Sequence, residues 1–96
     1  MTLGELLDRI DDIPRNLTVY VPNGEAVGPA TRVALLSSAE VGHIPPAGLA
    51  YLLEVDLIKE VLEVWSVWRG GRLPQLGDKI EAVVHYAEYD AYLPAD

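Results

Sequence analysis

The period of the apolar pattern changes twice along this chain, and that change limits its fold more than any other feature. In "TLGELLDRIDDI" the residues Leu3, Leu6, Leu7 and Ile10 recur at helical spacing, with Glu5, Asp8, Arg9 and Asp12 facing away. The pattern then drops to alternation in "NLTVYV", where Leu17, Val19 and Val21 share a face, and to short apolar runs in "TRVALLS" and "LAYLLEV". These read as three strands. Helical period returns after Asp56. Leu57, Ile58, Val61, Val64, Trp65 and Trp68 form one broad apolar face, and Leu76, Ile80, Val83, Val84 and Ala87 a second. The chain is therefore α+β with the order α-β-β-β-α-α. Consecutive strands with short links predict a three-stranded antiparallel meander with helices packed on one face.

Punctuation between these segments agrees with the pattern. Thr2 followed by Glu5 fits a capping box, and Pro14 stops the first helix by removing a donor and restricting Ile13. "PNGEAVGPA" and the stretch from Ser38 to Gly48, with two prolines, read as loops. Asp56 is expected to N-cap the second helix, because its carboxylate can accept orphan N–H groups of the first turn. Gly70 and Gly71 end that helix. The last helix runs from about Gln75 to Tyr89, and both tryptophans are expected in the sheet–helix interface.

Ninety-six residues make one domain, 1–96, with room for one two-layer core. The start, "MTLGELLDRIDD", has neither a basic leader nor an apolar run of signal length, and no cysteine is present. Both favour a cytoplasmic protein, and the second excludes disulfides and thiolate metal sites. No stretch approaches the ~18 uninterrupted apolar residues of a membrane span. The net charge of −8 disfavours nucleic acid, whose phosphates such a surface repels. Arg69, Arg72 and Lys79 form the one basic patch, which is expected to complement helix C-termini.

Catalytic parts are missing. There is no cysteine nucleophile and no serine in a Gly-x-Ser-x-Gly elbow, while Ser37, Ser38 and His43 read as loop residues. "PNGEAVGPA" lacks the Gly-Lys-Ser/Thr of a phosphate loop. Glu81, His85 and Glu88 share one face of the last helix, as metal ligands would. No second His/carboxylate pair on another helix completes such a site, and their face lies opposite the apolar stripe. A solvated polar face is the expectation, with no metal and no cofactor.

"HYAEYDAYLP" remains, with Tyr86, Tyr89 and Tyr92 spaced by three. On a continued helix Tyr86 borders the apolar stripe, while Tyr89 and Tyr92 swing outward beside Glu88. Two outcomes are open: the end of the chain folds back over the core edge, or Glu81, His85, Glu88, Tyr89 and Tyr92 present a partner-binding surface. Tyrosine gives large contact area at low entropic cost, which suits the second.

"LLEVDLIKEVLEVWSVWRGG" followed by "DKIEAVVHYAEYDAYL" resembles a family of small uncharacterised bacterial proteins, in which a strand leads into an Ile-Lys-Glu-Val-Leu-type helix and a final helix ends in tyrosines. The likeness covers the C-terminal half, and "LGELLDRI" more loosely. It brings no activity, cofactor or site residue with it. Small acidic bacterial proteins of this size also resemble immunity proteins of toxin systems, which neutralise a basic toxin by binding it; that analogy is one of class. The reading is a non-enzymatic, acidic protein-binding domain of immunity or adaptor type whose partner is another protein, of basic charge. The alternative is a self-associating structural protein, a homodimer through a sheet edge or helix face.

Overall fold

Thr2 opens the first helix through the reciprocal bonds its spacing to Glu5 implies. The Thr2 N–H donates to Glu5 Oε1 at 2.9 Å, and the Glu5 N–H donates to Thr2 Oγ1 at 3.2 Å. Helix α1 then spans Leu3–Asp8 and tightens into a 3-10 turn at Ile10–Asp12. Leu3, Leu6, Leu7 and Ile10 are all buried. The structure is a computed structural model, and it describes residues 1–37 and 45–95. Ser38 and His43 lie outside the described residues.

Strands β1 (Leu17–Pro22), β2 (Ala34–Ser37) and β3 (Leu49–Glu54) form one antiparallel sheet. With helices α2 (Val55–Val67) and α3 (Leu76–Tyr89) the order is α-β-β-β-α-α, and the class is α+β. The strand order is β2-β1-β3, so the meander expected from short links is corrected: β3 pairs with β1, not with β2. Burial explains the choice. Val19, Tyr20 and Val21 are buried in succession, so β1 is covered on both faces and sits centrally. No residue of β2 is fully buried, as suits an edge.

The register slips between Val19 and Tyr20, which face Leu53 and Tyr51, leaving Leu52 as the extra residue of a bulge. Leu52 and Leu53 are both buried in consequence, although neighbours on a regular strand would point to opposite faces. The N-terminus is tied to the segment before β2. Leu3 N–H donates to Thr31 O at 2.8 Å, and Val33 N–H to Met1 O at 2.9 Å. Gly4 N–H meets Pro29 O at 2.9 Å, and a Cβ on Gly4 would stand 3.2 Å from that oxygen. The position therefore has little room for any larger residue.

Three packing expectations are corrected. Glu54, not Asp56, is the N-cap of α2, because the strand runs directly into the helix. Asp56 falls in the first turn, where its Oδ1 accepts from Arg15 Nη1 at 2.6 Å. Trp65 is buried at 4% exposure, but Trp68 is 51% exposed. Trp68 is the C-cap of α2, about 60° round from Trp65 at the helical turn angle, and so leaves the covered part of the face. The buried stripe of α3 is also rotated. Ala82 and Val83 are buried, Ile80 and Val84 are partly so, and Leu76 and Ala87 are exposed. Lys79 lies on the rotated side and donates to Leu7 O at 3.1 Å, tying that side of α3 to the end of α1.

Candidate functional site

Helix α3 stops where its last residues permit. Asp90 adopts the left-handed conformation at φ 54°, ψ 36°, and its N–H donates to Tyr86 O at 2.8 Å. Aspartate tolerates that conformation better than most residues. The reversal sends the tail back across the molecule, where Tyr92 and Leu93 pack against the core. The Tyr92 ring lies 5.2 Å from Tyr86 and 5.7 Å from Trp68. The tail is held by Arg69, whose Nη2 donates to Pro94 O at 2.9 Å and Leu93 O at 3.4 Å. The same guanidinium donates through Nη1 to Trp65 O at 3.0 Å and stands 4.4 Å over the Trp65 ring.

The five residues read as a surface thus divide. Glu81, Glu88 and Tyr89 are exposed on the outer side of α3, Tyr89 at 61%. His85 is half-buried with its ring 4.7 Å from that of Tyr89. Tyr92 leaves this group for the other side of the helix. Burial pushes its phenol up from the ordinary tyrosine range, and a hydrogen bond with Glu60 adds to that. Of the two outcomes left open by the sequence, the fold-back describes Tyr86 and Tyr92, whereas Tyr89 faces outward. Among the described residues no three His, Asp or Glu side chains come together as a group able to hold a metal ion.

Charge is distributed unevenly between inside and outside. Lys59 Nζ donates to Ile13 O at 2.7 Å, as Lys79 does to Leu7 O, and Arg69 serves three carbonyls. Arg72 stands 5.0 Å over the Trp65 ring. The patch of Arg69, Arg72 and Lys79 is therefore turned onto backbone and indole. Arg15–Asp56 is the one side-chain salt bridge among the described residues. Along the exposed side of α2, Asp56, Glu60 and Glu63 line a shallow groove with Glu54, and Arg15 is its single cation among the described residues.

Sequence reasoning missed a second feature beside α3. Glu25 of the β1–β2 loop lines the same groove as Glu88, together with apolar residues of β1, β3 and α3. Glu25 stands on a loop and carries no periodic signal, so only the tertiary fold brings the two together. Tyr51, at the same groove, has its phenol pushed up by burial and by the Glu54 carboxylate. Among the described residues no helix is long and apolar enough to cross a membrane. Compared with known proteins, the chain matches no protein-family model, no curated protein and no solved structure.

Proposed function

We propose that this chain is a non-enzymatic, acidic protein-binding domain of immunity or adaptor type, acting in the cytoplasm on a basic partner. One observation supports it most: four of the seven cations, Lys59, Arg69, Arg72 and Lys79, contact backbone carbonyls or an indole, while most carboxylates of α2 and α3 stand in solvent with one salt bridge among the described residues. A net charge of −8 would then be expressed almost wholly outward. Such a field steers a basic partner and raises its on-rate more than its affinity. It repels phosphate backbones, so the reading excludes nucleic acid as the partner. The likeness to small bacterial proteins that bind toxins enters only as analogy of class.

Native affinity capture followed by association kinetics over a salt series tests the proposal. The captured protein is expected to be basic, and its on-rate to fall steeply as salt rises, since screening lengths shrink to ~8 Å at physiological ionic strength. An acidic partner, or a rate indifferent to salt, would count against it.

Self-association is the second reading, favoured by Val67, Trp68, Leu73 and Leu76, large apolar residues exposed around the α2–α3 connection. Two copies each carrying −8 repel, so salt would strengthen a homodimer while weakening a basic partner's capture. Sedimentation analysis at low and high salt separates the two.

A further inference from the structure

A groove of about 480 Å³ runs between α3, the β1–β2 loop and β3. Val21 and Leu52, both buried, contribute to its lining from the sheet. Val27, Tyr51, Val84 and Ala87 form its walls, and Ala87 and Tyr51 are exposed although apolar. The exposure of Ala87 follows from the rotation of α3, whereas Val84 is partly buried against the core and lines the groove from its inner side. Apolar side chains are also exposed at Val67, Leu73 and Leu76, but the groove beside them is lined by Arg15, Lys59 and Lys79 as well as by acidic residues. Among the described residues Glu25 and Glu88 are the groove's only charged ones, and no Lys or Arg lines it.

We infer that this groove is where the partner docks, and that it takes a cationic amphipathic segment of that protein. The segment places an apolar side chain between Val27, Tyr51 and Ala87, and a Lys or Arg beside Glu25 and Glu88. This rests on the acidic protein-binding reading and gives it a location and a chemistry. Charge complementarity selects the occupant. An acidic segment would meet two carboxylates and no cation. A second copy of this chain would bring a net charge of −8 to the same two carboxylates. The apolar walls in turn select against a merely basic, fully polar segment, which would leave them wet. The outward Tyr89, directly after Glu88, and Glu81, about two turns before it, continue the surface along α3 and would form its polar rim.

Backbone amide shift mapping of the labelled full chain is the test, with three synthetic peptides of equal length: alternating Leu/Lys, Ser/Lys and Leu/Glu. The Leu/Lys peptide should perturb Val27, Ala50, Tyr51, Val84 and Ala87 in a saturable manner, with Ser/Lys much weaker and Leu/Glu silent. Ala87→Trp fills the groove from an exposed helix position and should abolish those shifts. Glu25→Gln with Glu88→Gln should weaken Leu/Lys binding by about tenfold, since two exposed ion pairs are lost. Equal binding of Ser/Lys and Leu/Lys, or Leu/Lys binding unaffected by Ala87→Trp, overturns the groove. Salt-sensitive Leu/Lys shifts confined to Asp56, Glu60 and Glu63 overturn it too, but leave the acidic protein-binding reading standing. No shift with either cationic peptide at low salt overturns both.

Discussion

The Tyr92 ring stands edge-on to the Trp68 indole, 5.7 Å between centroids with 74° between the planes. The edge-to-face arrangement brings the positive edge of one ring to the negative face of the other. It explains how an indole half in water is nevertheless held. Replacing Tyr92 with alanine removes this contact and the one to Tyr86, and is expected to lower the denaturant midpoint. Tyr86→Ala should cost roughly 1–3 kcal/mol, as a partly buried ring at the core edge. Tyr89→Ala should stay within about 0.5 kcal/mol of wild type. Equilibrium melts of the three variants check the ranking, and a larger loss at Tyr89 than at Tyr86 would contradict it.

Tyr92 also sets an alkaline limit. Its folded-state pKa is raised by burial and then by the hydrogen bond to Glu60, so the neutral phenol is the form the fold prefers. The stabilisation is complete below the ordinary tyrosine pKa of about 10 and is lost as pH rises through the raised value. Tyr92→Phe keeps the ring contacts and removes the titration. Its stability relative to wild type should therefore improve as pH climbs above about 10; a constant difference between the two proteins over that range would refute the assignment.

The two tryptophans should behave as different solvents report them. Trp68→Phe leaves Trp65, buried at 4%, with blue-shifted emission; Trp65→Phe leaves Trp68, 51% exposed, with emission moved to the red. Trp65→Ala should cost about 3–5 kcal/mol, the usual range for deleting a core aromatic. Indistinguishable spectra from the two single-tryptophan proteins would mean that the end of α2 is packed differently.

Arg69 is a fork with three carbonyl partners, and lysine cannot reproduce that geometry. Arg69→Lys is expected to destabilise by about 1.5–3 kcal/mol, the scale of hydrogen bonds to a charged group. It should also speed carboxypeptidase trimming of the tail. A variant as stable and as resistant as wild type would show the clasp to be incidental.

In the capping box of α1, Glu5 has its carboxyl held below the ordinary glutamate range, first by the Thr2 backbone N–H and then by the Thr2 hydroxyl. The ionised form is the bonded one. Its contribution is full above the ordinary glutamate pKa and fades as pH falls through the lowered value. Glu5→Gln retains an acceptor but not the charge, so the gap between variant and wild type should close on acidification. Chemical melts from neutral pH down through the glutamate range would show it, and a gap that widened instead would mean that the ionised carboxylate is not the form the capping box stabilises.

Where one local signal decided the outcome, the sequence was a good guide. The Thr2–Glu5 box and the presence of a strand at Leu17–Pro22 depend on neighbours within a few positions. By contrast, α1 ends at Asp8, ahead of Pro14, and β1 is buried at Val19, Tyr20 and Val21 in succession instead of alternating. Strand order did not depend on such neighbours: β1 became central because Val19, Tyr20 and Val21 needed cover on both faces, a demand visible only once the sheet is assembled. The rotation of α3 escaped for a similar reason. Leu76 and Ala87 fit an apolar stripe by spacing, but Ala82 is small enough to lie buried where α3 packs, and Lys79 reaches α1. Of the surface residues, Glu81, Glu88 and Tyr89 were legible as outward from helical spacing. Tyr92 was not, because its position depends on the left-handed turn at Asp90.

A strand that must be flanked on both sides also dictates an order of assembly. The pairing of Tyr20 with Tyr51 closes more than twice the sequence distance closed by its pairing with Ala34. Loop closure favours the shorter span, so the ribbon of β1 and β2 forms before β3 arrives. Until the ribosome has released β3, that ribbon presents the long edge of β1 bare, with Val19 and Val21 still wet. The nascent chain is then most open to pairing with a neighbour, and the acidic residues of α1 are already made by that time. Their repulsion between chains on one polysome would protect the edge until β3 closes it.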